Sequence, residues 1–371
     1  MSEIVLFLPG NLFHSNITQD KMERLLAERA GMETLEKNLV PVVFGWQMLD
    51  RLLAPDIYDP GPHELCVGSF SHALHSLLTK KDSEWQIENE INANSKLKSN
   101  INVTFYPEFA PPSDSKLIPT KYFFLPSLGT RYYDHDANTG ELDVRKDISN
   151  IQAVRFGSKI GILLDTRSPI RKKWHEYQKD PREGLAPLVD ATNKVADQNG
   201  PVHIVLLDLE TPYVESDSNA NQLWLDYFDA LKDDVRKKFS PLKPHLKWFK
   251  DRAVDAGYIG APHRTLQKWA VHDIQLKYIQ RAYNKIQAEN LSKKQRILLA
   301  VARDSDVLSV MNSRILVQDE KEPCYKKNRI EILRLGVACL NILEGKEDSL
   351  DSLAKADPVL GPRLIELLQN F

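Results

Sequence analysis

Acidic side chains stand where two short apolar segments of the sequence end. Glu108 follows the segment Val103–Tyr106, and Asp208 follows Val202–Leu207, with Glu210 two residues later. Side chains two residues apart on an extended chain point to the same side, so Asp208 and Glu210 should share a face. Cleavage of a glycosidic bond needs two carboxyl groups, one that attacks the anomeric carbon and one that protonates the departing oxygen. Glu108 and Asp208 therefore predict a glycoside-cleaving site, although an acid at a strand end can also simply cap the next helix.

Three further polar side chains follow apolar segments and are candidates for binding sugar hydroxyls. His72 comes shortly after the apolar segment Glu64–Val67, and Asp304 and Asp306 come directly after Leu298–Ala302. The alternative for His72 is a buried imidazole bonded to a backbone carbonyl. Glu210 is a candidate either to orient Asp208 or to bind a hydroxyl.

The elements that must position these side chains are buried strands separated by amphipathic helices. Apolar segments of strand length lie at Ile4–Leu8, Val40–Phe44, Glu64–Val67, Val103–Tyr106, Tyr122–Leu125, Ile151–Phe156, Ile160–Asp165 and Val202–Asp208. Continuous apolar strands with helical connections are typical of a mainly parallel sheet covered by helices on both faces. We predict an α/β fold with an incomplete (β/α)7 barrel; the alternative is an open doubly wound sheet. In either fold, ligands bind at the carboxyl ends of the strands.

The last third of the sequence has a helical pattern. Apolar residues recur every three to five positions between Leu266 and Ile286, and further apolar helices are predicted at 297–301, 330–343 and 360–368. We therefore expect a catalytic barrel at residues 1–250 and a helical C-terminal domain at residues 251–371.

Composition and charge exclude several classes of protein. The 371 residues are 42% hydrophobic and 27% charged, which is typical of a globular protein. The 49 Lys and Arg against 51 Asp and Glu indicate no nucleic-acid or membrane partner, and the basic stretch Arg171-Lys172-Lys173 is interpreted as a solvated helix face. Cys66, Cys324 and Cys339 are too few and too far apart for a disulfide framework or a zinc site. With no secretion signal or membrane-spanning segment predicted, we expect a cytoplasmic protein.

The ordered set of motifs resembles glycoside hydrolase family 57, an alpha-amylase-like family. The segment HELCVGSFSHALHSLL from His63 is similar to the second motif of that family, Phe105–Glu108 to the third, Leu207–Thr211 to the fourth and Ala302–Asp306 to the fifth. The resemblance spans most of the chain and implies a seven-stranded incomplete barrel with a following helical domain. It also implies that Glu108 is the nucleophile and Asp208 the general acid/base, with Asp304 and Asp306 binding substrate.

The sequence departs from this family at its first motif. The family has His-Gln-Pro at the end of the first strand, where this chain has Pro9-Gly10-Asn11. His14 is a candidate to replace the missing imidazole, the alternative being a surface histidine. Trp46 and Trp269 are candidates for stacking on sugar rings, the alternative being core packing.

We expect an enzyme that needs no metal or cofactor: a retaining glycoside hydrolase or a glucanotransferase acting on alpha-glucans or related oligosaccharides. Retention predicts carboxyl groups roughly 5–5.5 Å apart, with Glu108 ionised and the pKa of Asp208 raised by partial desolvation. One alternative is a catalytically inactive sugar-binding homologue. Another is a metal-dependent carbohydrate deacetylase, in which His72, His75 and Asp208 would be the metal ligands.

Overall fold

A computed structural model describes most of the chain. The described residues are 2–13, 17–37, 40–45, 47–55, 63–93, 101–106, 112, 114–126, 132–135, 142–144, 152–164, 168–198, 200, 202–215, 218–255, 258–259, 273–312 and 330–370.

The strands follow the predicted apolar segments closely and include four that were not predicted. Their bounds are β1 Glu3–Pro9, β2 Val42–Gly45, β3 Glu64–Val67, β4 Ile101–Thr104, β5 Tyr122–Pro126, β6 Tyr132–His135, β7 Leu142–Val144, β8 Ala153–Phe156, β9 Lys159–Leu164, β10 Val202–Leu206, β11 Val254–Asp255 and β12 Tyr258–Ile259. The unpredicted strands are the short ones, β6, β7, β11 and β12.

Nine strands form one sheet in the order β10-β1-β2-β3-β4-β5-β9-β8-β11. From β10 to β9 every neighbouring pair is parallel, which gives seven parallel strands. β8 then pairs antiparallel with β9. In the described chain β10 and β9 are not paired with each other, so the barrel is incomplete, as predicted. The strands β12, β6 and β7 form a separate antiparallel sheet.

Alternation along the strands divides the core into two parts. In β1, Val5 and Phe7 belong to the cluster that fills the inside of the barrel, whereas Ile4, Leu6 and Leu8 belong to the larger cluster between the barrel and the helices. The inside of the barrel is packed with apolar side chains from six other strands: Val43, Cys66, Val103, Phe124, Ile160, Ile162, Leu164, Val202, Ile204 and Leu206. The barrel is thus a solid core, and polar chemistry is confined to its ends.

The helices surround this barrel and continue beyond it. Their bounds are α1 Gln19–Ala27, α2 Met32–Lys37, α3 Met48–Leu53, α4 Lys80–Ala93, α5 Pro169–Lys179, α6 Pro181–Ala196, α7 Thr211–Glu215, α8 Ala220–Ala230, α9 Asp233–Arg236, α10 Leu246–Arg252, α11 Asp273–Ile279, α12 Lys293–Ala302, α13 Ser305–Asn312, α14 Ile330–Leu343, α15 Asp351–Ala356 and α16 Leu360–Gln369. A π-helical turn, Gln280–Lys285, follows α11 directly. Among the described residues no helix combines the length and the apolar character that crossing a membrane requires.

The C-terminal helices pack on the barrel as a bundle, and one of their polar turns lies against the loop after β3. Ala73, after β3, pairs with Asp304 in the turn between α12 and α13. The backbone N–H of Ser305 also donates to the carbonyl of His72 at 2.9 Å. The helical region therefore brings its acidic turn directly against the loop that follows β3.

A glycine brings the ends of β3 and β4 unusually close together. A Cβ atom at Gly68 would lie 2.1 Å from the carbonyl oxygen of Phe105, so no other residue fits without displacing that strand end. This contact fixes the position of Phe105, directly after β4.

Candidate active site

The loop after β3 carries His72 and is held by helices on both sides. The side chain of Gln86, from α4, accepts from the backbone N–H of Ser71 at 2.9 Å and donates to the Ser71 hydroxyl at 3.2 Å. The backbone N–H of Leu49, at the start of α3, donates to the carbonyl of Phe70 at 2.8 Å. These bonds fix the backbone from which the His72 imidazole projects.

His72 is paired with Asp50, a residue that the sequence analysis did not identify. Nε2 of His72 lies 3.1 Å from Oδ2 of Asp50, and both side chains are buried. The other carboxylate oxygen of Asp50 accepts from the backbone N–H of Leu12, just beyond β1, at 3.4 Å. Asp50 thus links α3, the end of β1 and the loop after β3, and His72 bonds to a carboxylate rather than to a backbone carbonyl.

Asp304 and Asp306 face the same histidine from the helical region. Oδ1 of Asp304 accepts from the backbone N–H of Asp306 at 2.9 Å, and Oδ2 of Asp304 is buried without a hydrogen-bond partner among the described residues. The side-chain amide of Asn11 donates to Oδ2 of Asp306. Asn11 lies just after β1, at the position where the resembled family has its His-Gln-Pro motif. In this chain the side-chain amide of Asn11 is the hydrogen-bond donor to the acidic turn from that strand end.

The charges of this cluster shift one another's protonation. Burial lowers the pKa of His72, but the neighbouring Asp50, Asp304 and Asp306 carboxylates outweigh it and raise that pKa to about 9. Burial is also the largest influence on Asp304 and, with Asp306 and Asp50 adding to it against the opposing imidazolium of His72, raises its pKa to about 8. Near neutral pH the cluster therefore contains an imidazolium and at least one protonated carboxyl group.

The end of β10 places its two acids in different surroundings. Leu207 and Leu209 pack in the cluster between barrel and helices, and their N–H groups donate to carbonyls of β1 at 3.0 and 2.9 Å. Asp208 and Glu210 alternate with them, as predicted. Asp208 is partly exposed at 29%, whereas Glu210 is 6% exposed.

Burial and charge act on Glu210, while a cation acts on Asp208. Burial is the main cause that raises the pKa of Glu210 well above its ordinary value; Asp208 and Asp306 raise it further, and His72 opposes them. The guanidinium of Arg171, near the start of α5, donates to Oδ2 of Asp208 at 2.6 Å. The partial desolvation expected at Asp208 stays a prediction, and the more deeply buried carboxyl group of the two is that of Glu210.

Arg171 corrects one interpretation of the sequence. The stretch 171–173 was expected to be a solvated helix face, but the Arg171 side chain is only 21% exposed and lies against Asp208. A positional signal was present, since α5 follows β9 directly and connections after barrel strands open at the end where ligands bind. Asp50 had the same signal, because α3 follows β2.

Four of the predicted site residues lie outside the described residues. They are the nucleophile candidate Glu108 and the binding candidates His14, Trp46 and Trp269. The predicted separation of the Glu108 and Asp208 carboxyl groups therefore stays a prediction. The described members of the predicted set, His72, Asp208, Glu210, Asp304 and Asp306, come together at one end of the barrel.

The ligand set of a deacetylase is not assembled among the described residues. Nε2 of His75 lies 2.9 Å from the Ser69 hydroxyl, and its ring packs against Tyr106 with centroids 4.8 Å apart. Burial lowers the pKa of His75 to about 3, so the ring is neutral. His72 and His75 therefore serve different partners, and no group of three or more His, Cys, Asp or Glu side chains in the described parts is arranged to hold a metal ion.

Comparison with known proteins gives similarity of fold without similarity of sequence. No family model matches the chain, and no curated protein matches it. The GH57-type branching enzyme of Pyrococcus horikoshii superposes with a TM-score of 0.56 at 11% identity, over 98% of this chain and 97% of that one. The exo-type maltose-forming amylase of Pyrococcus sp. ST04 superposes with a TM-score of 0.53 at 8% identity, over 99% and 73%.

A third similarity is weaker. A Mycobacterium smegmatis protein assigned as a polysaccharide deacetylase gives a TM-score of 0.45 at 10% identity, over 70% of this chain and 94% of that one. The full-length similarities define the class of fold: the chain has a GH57-like fold, an incomplete barrel followed by a helical bundle.

Proposed function

We propose that the protein is a divergent member of glycoside hydrolase family 57, a cytoplasmic retaining glycoside hydrolase or glucanotransferase acting on alpha-glucans or related oligosaccharides. The observation that carries the proposal is the pair of acids at the end of β10, one ion-paired with an arginine and one buried, set against an imidazolium and a second acidic pair from the helical region. A fold alone does not assign a function, so the proposal rests on this site and takes the fold as support.

In this proposal Glu108 attacks the anomeric carbon, and the acids at the end of β10 exchange the proton with the leaving group and the acceptor. His72, Asp304 and Asp306 bind sugar hydroxyls, for which charged donors and acceptors held in fixed positions are suited. His14, Trp46 and Trp269 remain candidates for further contacts with the sugar chain.

The test is turnover of starch, glycogen and maltooligosaccharides by the purified protein, by Glu108→Gln and by Asp208→Asn. We expect release of reducing ends or redistribution of chain lengths by the wild type. Glu108→Gln should reduce the rate by several orders of magnitude, because without the nucleophile no covalent intermediate forms. Turnover that is unchanged in both variants would remove these residues from the mechanism.

One alternative has an observation in its favour. The ion pair with Arg171 occupies Oδ2 of Asp208, as expected of a homologue that binds sugars without cleaving them. Binding of maltooligosaccharides in calorimetry without any turnover would select this alternative. A deacetylase is the third candidate, and release of acetate from acetylated oligosaccharides by metal-loaded protein would identify it.

A further inference from the structure

We infer that Glu210, rather than Asp208, is the carboxyl group that exchanges the proton with the glycosidic oxygen, and that Arg171 holds Asp208 as a permanent carboxylate beside it. This assignment rests on the proposed function and differs from the one that the resemblance implies. It is carried by the ion pair of 2.6 Å at Asp208 and by the burial of Glu210.

A general acid must hold a proton when the substrate arrives. Oδ2 of Asp208 already accepts from the Arg171 guanidinium at 2.6 Å, so that oxygen is not available to a leaving group. Asp208 is also the more exposed of the two acids. Both features suit an anion that acts on its neighbours rather than a proton donor.

The surroundings of Glu210 differ from those of Asp208 in both burial and neighbouring charge. Two acids face it, Asp208 on its own strand end and Asp306 from α13, and the imidazolium of His72 opposes them from the loop after β3. Burial is the largest influence and the two carboxylates add to it, so the pKa of Glu210 is raised well above its ordinary value, which favours its protonated form. Fixing one acid as an anion in order to keep a nearby acid protonated is a recurrent arrangement in sites that exchange protons.

The proton balance of the reaction then involves Glu210 twice. As a Glu108 carboxylate oxygen bonds to the anomeric carbon, the glycosidic C–O bond breaks and the leaving oxygen takes the proton of Glu210. In the second step water or a sugar hydroxyl returns a proton to the Glu210 carboxylate while its oxygen bonds to the anomeric carbon and the ester to Glu108 breaks. Asp208 keeps its charge throughout.

The first test compares Glu210→Gln and Asp208→Asn on two substrates. With a glucan we expect Glu210→Gln to lose about 10²–10⁴-fold in kcat, the usual contribution of a general acid, and Asp208→Asn to lose distinctly less. With alpha-glucosyl fluoride, whose leaving group needs no proton, formation of the covalent intermediate by Glu210→Gln should return close to the wild-type rate. Lys172→Gln, a change at an exposed position of α5, is the matched control and should leave both rates unchanged.

The pH dependence sharpens this test. Since the charge of Asp208 raises the pKa of Glu210, Asp208→Asn should move the alkaline limb of kcat/KM for a glucan to lower pH. A larger loss in Asp208→Asn than in Glu210→Gln, with fluoride turnover restored only in the former, would overturn the assignment and return the acid role to Asp208.

A second readout does not depend on activity and separates this inference from the proposed function. Infrared difference spectra recorded over a pH series should lose a protonated-carboxyl band in Glu210→Gln, whereas in Asp208→Asn the band should remain and disappear at a lower pH than in the wild type. The reverse pattern would place the proton on Asp208. If the wild type cleaves no glucan, the proposed function fails, while the spectra still decide which of the two acids holds the proton.

Discussion

Arg303 and Asp304 are adjacent and both buried, but their surroundings differ. The charge of Arg303 is matched by its partners, whereas that of Asp304 is not. The guanidinium of Arg303 donates to Asp82 at 2.9 Å and to the carbonyls of Ala282 and Ile286 at 2.7 and 2.8 Å. It also lies over the ring of Tyr283. Asp304, one residue later, has a buried oxygen with no hydrogen-bond partner among the described residues.

The difference separates a structural ion pair from a functional cluster. Around Arg303 the charges are matched, and Asp82 also accepts from the backbone N–H of Ala288 at 3.2 Å, so α4 is tied to the helical region. Around Asp304 acids outnumber cations, and several carboxyl groups compete for protons. Folding alone gives no reason to keep such a cluster, whereas a binding or catalytic site does, since its groups must remain available to a ligand.

The largest expected change in the free energy of unfolding comes from breaking the structural ion pair of Arg303. Arg303→Met should lower the free energy of unfolding by about 3–5 kcal/mol, because it leaves the Asp82 carboxylate buried without its cation. Urea denaturation measures this. Arg334→Met, at an exposed position of α14, is the matched control, and a loss as small as that of the control would show that the pair is not structural.

In the functional cluster, replacing the acid Asp304 should have the opposite effect on the free energy of unfolding and stabilise the protein relative to wild type as the pH rises. The pKa of Asp304 is raised from 3.8 to about 8 in the folded protein, so the folded state binds this proton more tightly and wild-type stability falls as the pH rises through that range. Asp304→Asn has no such proton to lose. Its stability relative to wild type should therefore rise with pH across this window, by up to about 1.4 kcal/mol for each pH unit, while glucan turnover falls.

Urea denaturation at several pH values checks this prediction. Asp229→Asn, an exposed change on α8, serves as the control and should show no such trend. If Asp304→Asn were less stable than wild type at every pH, Asp304 would belong with the structural charges, and the contrast with Arg303 would be lost.

A smaller effect on stability is expected for the ion pair between Asp50 and the imidazolium of His72. The pKa of His72 is about 9 against an ordinary 6.5, so its ion pair stabilises the fold fully below pH 6.5, and this contribution is lost by about pH 9. Asp50→Asn should reduce stability below pH 6.5 by about 1.5–3 kcal/mol, the range for a hydrogen bond to a charged group. In Asp50→Asn the Asp50 carboxylate no longer opposes the effect of burial, so the NMR titration of the His72 ring should move to lower pH. The remaining histidines are the internal controls. An unchanged titration would exclude Asp50 as the residue that keeps His72 protonated.

The smallest effect tests whether burial, rather than ion pairing as such, makes the difference. Lys81 lies next to Asp82 in sequence and pairs with Glu289 at 2.6 Å, but the Lys81 side chain is 72% exposed. Exposed pairs contribute little, so Lys81→Gln should leave the denaturation midpoint within experimental error. A shift comparable to that of Arg303→Met would contradict this account.

The fold was largely predictable because its signals are local. Glu64–Val67 was predicted residue for residue, and β1 and β10 differ from their predicted segments only at the ends. The spacing of apolar residues also predicts a single helix over residues 20–38, and this prediction is wrong in one respect. The helix is divided into α1 and α2 around Gly31, which has a φ of +81°. Trp224 packs against that glycine so closely that a Cβ would lie 2.8 Å from its ring. That contact comes from a distant helix and has no signature in the local pattern.

The sequence by itself determined where strands end and which acids follow them, because alternation and apolar runs depend only on near neighbours. It therefore predicted Asp208, Glu210, His72, Asp304 and Asp306 as residues of one polar end of a barrel. Only the tertiary structure decided which groups pair: Asp50 with His72, Arg171 with Asp208, and Asn11 with Asp306. These partners lie on elements far apart in the chain, and the protonation of each acid follows from its partners and its burial, which only the packed molecule defines.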